Sequence, residues 1–531
     1  MSFNSYGFLF AFLPITALGF WTLLKFAARS WAIAWLLLAS VVFYLAASPI
    51  TLVLITPSIL IDYSIGRILL RLDVSRKELR NAWFALGIVA NLVFLGYFKY
   101  TAFLLQTSNA LLGTHWEAAP TVLPLGISFL VFQKLAFLAD VKSGQLQAIR
   151  LRDFLLFTLF FPRTIAGPIV HYKEVMPQIQ EARSSVCATH IAVGLCLLSI
   201  GLFKKTVIAD HLSQLPALVF DSGDAHIPDH TLLISWLGLL TYTLQLYFDF
   251  SGYSDMALGA ARMVGIRLPM NFNSPFKAAS IVEFWSRWHI TLTRFLTAYI
   301  YTPLLLHLTR ARLLKGEPVL SGRRSKLSAI ATLIALPNLV TMAISGLWHG
   351  AGWQFVAWGA LHGVYLMINQ IWRLRHPRST ANPGRYGGLR HLSAQALTFA
   401  SVIIALTFFR SSSVRSALSV LAGLAGFNGV LPHEMQVLMS AGVGLHWVWQ
   451  EQQLLVTASL GVGVLMAAVM LLPNSLEILQ RFEPALDFPS TGQSDRRSVD
   501  LSPATAVVAS LLLMLGVMSL GQSGGFVYGQ F

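Results

Sequence analysis

Apolar residues run in long blocks along this chain, and short polar connections separate them. The blocks lie at roughly 7–24, 31–48, 51–70, 82–105, 121–141, 187–211, 232–260, 328–347, 351–372, 393–411, 454–472 and 503–520. Most approach the roughly 20 residues a helix needs to cross a bilayer. In hydrocarbon every backbone polar group needs an internal partner, so such blocks must be helical. The pattern predicts an all-α polytopic membrane protein with about 11–13 transmembrane helices. Composition agrees. Hydrophobic residues make up 55% of the 531 and charged residues 11%, against roughly 25% charged in soluble domains. The mean hydropathy is +0.64. The expectation is one integral-membrane domain over 1–531.

The net charge of +15 raises nucleic acid as a partner, but the placement of the charge excludes it. Lys and Arg cluster in the connections, as they do in loops retained in the cytoplasm, and no aromatic-laced basic groove is present. The bilayer is the expected partner. The first run lacks a preceding basic residue and a small-residue cleavage site. It reads as a retained helix with the N-terminus outside, followed by Lys25 and Arg29 inside. Arg67, Arg71, Arg76, Lys77 and Arg80 mark the next inner connection, and Lys142, Arg150 and Arg152 another. Only Lys204 and Lys205, near the outer end of their run, break the rule. The count of crossings is even, with both termini outside.

Residues 153–185 contain an apolar stretch cut by Pro162, Gly167 and Pro168, with basic residues at both ends. A re-entrant segment fits, since irregular backbone at depth needs protein or a water-filled cavity around it. Between Arg262 and Lys326 there are 11 Lys/Arg and two acids, Glu283 and Glu317. That connection reads as a basic, partly embedded layer on the cytoplasmic side. Inner loops holding Arg373, Arg375 and Arg378, and later Arg496 and Arg497, complete the topology.

Two histidines carry candidate chemistry. His349 falls in Ser345-Gly346-Leu347-Trp348-His349-Gly350-Ala351-Gly352, at the turn between two apolar runs. The topology sets it in the outer half of the membrane, where an ionisable residue is a functional candidate. A neutral imidazole there can act as a general base or merely bond a neighbouring helix. His289 ends Glu283-Phe284-Trp285-Ser286-Arg287-Trp288-His289. On a helix Glu283 would pair with Arg287, and Trp285 with His289. An interfacial aromatic belt accounts for the same residues. Asp62, Asp140, Asp249 and Asp255 lie within apolar runs, either in structural pairs with buried Arg or along a proton path. Cys187 and Cys196, in one run, exclude a disulfide framework and a Cys-based zinc site. No phosphate loop, serine-hydrolase elbow or metalloprotease signature occurs, and no metal site is expected.

In order along the chain come Pro124-Leu125-Gly126-Ile127-Ser128-Phe129, Phe161-Pro162-Arg163, and Ala166-Gly167-Pro168-Ile169. Then follow Tyr247-Phe248-Asp249-Phe250-Ser251-Gly252-Tyr253-Ser254-Asp255, Asn271-Phe272-Asn273-Ser274-Pro275-Phe276, and Phe284-Trp285-Ser286-Arg287-Trp288-His289. The series continues with Gly346-Leu347-Trp348-His349-Gly350, Gly426-Phe427-Asn428-Gly429 and the end Phe526-Val527-Tyr528-Gly529-Gln530-Phe531. With these segments the chain resembles the membrane-bound O-acyltransferase family, in the branch of the alginate O-acetyltransferase membrane subunit. The resemblance implies a curved helical wall around a thin central partition, with core motifs at about 120–372 and accessory helices in 1–119 and 393–531. It departs from the branch at Phe295-Leu296-Thr297-Ala298-Tyr299-Ile300-Tyr301-Thr302-Pro303-Leu304-Leu305-Leu306, where an Arg-Asp pair and two glycines are missing, and a basic stretch, 307–326, follows.

By that resemblance His349 and His289 are the catalytic histidines, and Arg287, Trp288 and Arg294 bind the donor. The basic layer, with Arg310, would suit the phosphates of acetyl-CoA, which is a substrate rather than a resident cofactor. His349 would act as base or as nucleophile. The resemblance further implies a periplasmic SGNH-hydrolase-like O-acetyltransferase partner, an exopolysaccharide acceptor such as alginate, and a cell inner membrane location. Two other readings stay open: export of a polysaccharide or lipid-linked precursor, for which no inverted repeat is visible, and D-alanyl or long-chain acyl transfer.

Overall fold

All twelve apolar runs are helical in the computed structural model of the chain. It describes every residue except 118, 120, 165, 183–187, 222–229, 377–387, 431–444, 487, 489–497, 523–525 and 527–531, and the side chains of 445–456. Arg378, Cys187, Arg496, Arg497 and all but Phe526 of the final motif therefore lie outside the described residues. Among the described residues seven helices are long and apolar enough to cross a membrane: Gly7–Phe26, Arg29–Ala47, Pro49–Arg71, Lys77–Leu112, Ala188–Phe220, Leu327–His349 and Leu389–Arg410. Large apolar side chains such as Leu18, Val53 and Leu397 stay exposed on them, as lipid-facing residues do. Among the described residues no strand forms, and a lone bridge joins Pro269 to Leu486.

The chain divides into two compact units. The first comprises Met1–Val207, Asp249–Asn271 and Ser475–Gln530, and the second Ile208–Phe248 with Phe272–Asn474. The first unit has an aromatic core in which Phe137 meets the Phe154 ring at 4.4 Å and Phe157 meets Tyr172 at 5.3 Å. The ambiguous 153–185 region belongs to it. Helix Leu151–Leu159 is nine residues long, about 13 Å at 1.5 Å per residue, too short to cross. A tight turn at Phe161–Arg163 ends it, and Tyr172–Gln180 forms a second short helix. Arg163 is buried there, its guanidinium 4.4 Å from the Phe157 ring centroid.

Each of the four intramembrane acids has a basic partner in this unit, a lysine or a histidine where an arginine was expected. Lys134 lies 3.0 Å from Asp62, whose other oxygen accepts from Asn91 at 2.7 Å. His171 Nδ1 lies 3.0 Å from Asp140. Lys205 lies 2.7 Å from Asp249 and Lys204 lies 2.7 Å from Asp255, and Ser475 donates to the second oxygen of Asp255. The lysines that broke the charge rule are thus neutralised by the two acids of the Tyr247–Asp255 segment. Their helix widens by a π-type turn over Phe203–Ala209. Adjacent lysines there reach carboxylates that are six residues apart on the 32-residue helix Leu232–Met263.

In the second unit, the part of the basic connection from residue 272 onward includes short helices Ile281–Trp285, Ile290–Leu296 and Thr302–Leu314. Arg312 fastens the stretch that sets this chain apart. Its Nε donates to the Pro318 carbonyl at 2.9 Å, its Nη atoms reach Ser328 and Thr332, and it lies 3.0 Å from Glu317. Arg312→Ala is expected to free 315–326 from the start of the Leu327–His349 helix. Faster proteolytic cleavage confined to that stretch is the readout.

Candidate active site

His349 is the last residue of helix Leu336–His349, and after three intervening residues helix Trp353–Arg375 begins. The expected hairpin is therefore present, with His349 at its turn and 5% exposed. Glycine sets how closely its arms approach. A β-carbon on Gly346 would lie 2.1 Å from the Phe355 carbonyl oxygen, and one on Gly359 would lie 2.1 Å from that of Met342. At both glycines the close neighbour is backbone of the opposite arm. Gly346→Ala must push the arms apart, since a backbone carbonyl cannot swing aside. Overpacking of this kind costs about 1–3 kcal/mol. A lowered melting temperature together with reduced transfer is expected.

His289 is fully buried and does not extend the preceding helix. That helix ends at Trp285, and His289 itself takes left-handed φ/ψ of 45° and 52° as the residue before helix Ile290–Leu296. The i,i+4 pairing of Trp285 with His289 is therefore absent. Such a backbone costs a non-glycine residue of order 1–3 kcal/mol and recurs at functional sites. The turn aims the imidazole at the hairpin. Its ring centroid lies 6.4 Å from that of His349 and 6.1 Å from that of Trp348. His289 lies outside the spanning helices, and desolvation pushes its pKa down to about 3. The ring is neutral across the physiological range. His289→Gln is expected to lower the transfer rate and leave the pH dependence above about pH 4 unmoved. A pH–rate series on both proteins checks this.

Aromatic rings enclose the pair. His349 meets Trp348 at 4.9 Å, Trp358 at 5.1 Å and Phe409 at 5.2 Å. Trp358 also meets a third histidine, His362, at 4.9 Å, and Trp285 meets it at 5.1 Å. His362 is 1% exposed and did not stand out in the sequence. Its signal was the spacing Phe355, Trp358, His362, which places all three on one face of a helix. A cavity of about 270 Å³ lies among Trp285, Thr293, Tyr301, Asn338, Met342 and Gln370. Gln370 and Asn338 exchange amide hydrogen bonds at 3.0 and 3.3 Å. Gln370 is one turn from Arg373, and Met342 is two turns from His349.

The expected donor-binding residues are placed differently from one another. Arg287 forms the expected i,i+4 pair with Glu283 at 2.8 Å and also donates to the Asn273 carbonyl at 3.2 Å. Trp288 is 6% exposed and packs on Phe272, Phe276 and Phe284 with centroids 5.1–6.2 Å apart. Arg294 is half-buried in the last turn of helix Ile290–Leu296. Among the described residues no three His, Cys, Asp or Glu side chains gather as metal ligands.

Comparison with known proteins bears on the chemistry. The sequence pattern of the membrane-bound O-acyltransferase family matches residues 81–315. A peptidoglycan O-acetyltransferase of Helicobacter pylori is 37% identical over 457 residues, 81% of this chain and 80% of the relative. A probable alginate O-acetylase of Pseudomonas aeruginosa is 35% identical, over 78% of this chain and 73% of the relative. A teichoic acid D-alanyltransferase of Streptococcus thermophilus is 29% identical over 54% of this chain and 68% of the relative. With its helical architecture and its buried histidine pair, this multi-pass membrane protein belongs to the membrane-bound O-acyltransferase family and is an O-acyltransferase.

Proposed function

We propose that the protein moves an acetyl group from cytosolic acetyl-CoA, across a cell inner membrane, to hydroxyls of an exopolysaccharide such as alginate or a related polymer. A periplasmic SGNH-hydrolase-like partner completes the delivery. The observation that carries the reading is the approach of His289 to His349, 6.4 Å between ring centroids, with a cavity of about 270 Å³ lined by Trp285 and Thr293, four residues to either side of His289, and by Met342, two turns before His349. The cavity wall is mostly apolar, with Thr293, Asn338 and Gln370 as polar points. That suits an acyl thioester arm entering from the Arg373 side, since pockets of this kind fix orientation with few polar groups.

In the base route His349 takes the proton of an acceptor hydroxyl, whose oxygen attacks the thioester carbonyl. The carbon–sulfur bond breaks, and the proton passes on to the departing CoA thiolate. In the nucleophile route an imidazole nitrogen of His349 attacks, the thiolate leaves, and acetyl-histidine later yields its acyl group to the hydroxyl. In either route neutral His289 can donate a hydrogen bond to the developing oxyanion. The packing around His349 excludes bulk water, which limits hydrolysis of the acyl group. Arg287 and Trp288 hold the His289 turn through Asn273 and the surrounding rings, and Arg294 faces the donor.

The acceptor has a second reading, peptidoglycan. It is favoured by the 37% identity to the Helicobacter pylori enzyme and by the departure of 295–306 from the alginate branch. Incubation of purified protein with acetyl-CoA, a long-chain acyl-CoA and a D-alanyl carrier thioester tests the donor. Consumption of acetyl-CoA alone supports the proposal, and preference for either other donor overturns it. Supplying alginate or peptidoglycan fragments with the partner then decides the acceptor.

A further inference from the structure

The first compact unit, which does not contain His349, has a cleft of about 470 Å³ lined by Arg29, Arg150, Arg152, Asp153, Tyr172 and Gln180, among others. Three guanidinium groups face one carboxylate, and that carboxylate is already held. Asp153 lies 3.0 Å from Arg152 and accepts from Gln180 at 3.0 Å. Arg29 spends one nitrogen on the Gln180 carbonyl at 2.6 Å. The Arg150 guanidinium has no hydrogen bond or ion pair among the described residues. Among the described residues that line the cleft, three guanidinium groups thus outnumber one carboxylate, and positive charge remains in a concave site.

The setting points to a ligand at the membrane surface. Arg29 lies between Phe26 and Trp31, which are 76% and 65% exposed, and Lys25 Nζ sits 5.0 Å from the Phe26 ring. Exposed aromatic and basic residues at the ends of spanning helices mark the headgroup level. The distribution of Lys and Arg assigns 25–29 and 142–152 to the cytoplasmic side. Basic pockets on that side bind anionic headgroups, and planar guanidinium forks match phosphate oxygens bidentately.

From this geometry we infer a phosphate-binding site for an anionic phospholipid headgroup, with Arg150 and Arg29 as its principal donors and Tyr172 as its wall. A soluble phosphate ester offers the same chemistry and is the alternative source of the ligand. The test uses full-length protein in mixed micelles, with native mass spectrometry counting retained lipid. Phosphatidylglycerol and phosphatidylcholine carrying the same acyl chains are titrated against wild type, Arg150→Gln and Arg150→Lys. Wild type is expected to prefer phosphatidylglycerol by roughly tenfold, because both lipids offer the phosphate but the choline ammonium of phosphatidylcholine brings a like charge to the arginines. Arg150→Gln loses most of that preference and Arg150→Lys keeps part of it. Arg150 is exposed, and an unchanged melting temperature confirms that the variants fold. Displacement of phosphatidylglycerol by inorganic phosphate or ADP would assign the site to a soluble phosphate ester, and resistance to both would assign it to lipid. Equal retention of the two lipids by wild type, or a preference unchanged in Arg150→Gln, overturns the inference.

Discussion

His349→Ala is expected to cut acyl transfer by at least about 10²–10⁴-fold, the usual contribution of a positioned base, in a protein that still inserts and folds. The residue ends a helix that does not depend on its side chain for a cap, because the following backbone N–H, that of Gly350, bonds the Gly346 carbonyl. Its surroundings are rings, and alanine leaves a small cavity among Trp348, Trp358 and Phe409. The effect should therefore fall on kcat, with the donor's KM nearly unchanged, since the cavity at Trp285, Met342 and Gln370 stays intact. His349→Gln keeps the volume and one hydrogen-bonding end but cannot accept a proton, and should be as inactive. Steady-state kinetics on both variants separates lost chemistry from lost binding.

Lys205→Ala is expected to destabilise the protein by ~3–5 kcal/mol, because it strips a buried carboxylate of its counter-charge. Lys205 and Asp249 have side-chain exposures of 2% and 0% at a separation of 2.7 Å. Neither can relax into water, so the cost is that of an uncompensated charge in a low dielectric. The double replacement Lys205→Met with Asp249→Leu removes both charges and should recover most of the loss, as apolar replacement of a buried pair commonly does. Thermal unfolding in detergent, followed by size exclusion, gives the comparison. If the double variant were as unstable as the single one, the pair would have a role beyond mutual neutralisation.

The apolar helices were legible because hydrocarbon leaves the backbone one solution, and run lengths alone located all twelve helical runs, seven of which are long and apolar enough to cross a membrane among the described residues. The hairpin turn at His349 was legible for the same reason. The i,i+4 pair of Glu283 and Arg287 followed from helical spacing. That same spacing failed two residues on, between Trp285 and His289, because a left-handed turn at His289 depends on packing from the 348–349 corner rather than on local propensity. Lys204 could not be understood locally, since its partner Asp255 lies 51 residues away. Helical spacing put His362 on one face with Phe355 and Trp358, but its contact with Trp285 was not legible, because tertiary packing alone makes it. The cleft at Arg29 and Arg150 was hidden likewise: both arginines read as ordinary inner-loop charge until folding brought them together.

The most direct test of the central claim uses sealed vesicles with radiolabelled acetyl-CoA trapped on the cytosolic side and polysaccharide with the partner supplied outside. Label is expected on the outer polysaccharide with wild-type protein and none above background with His349→Ala at matched levels. Equal labelling by the two proteins would contradict it.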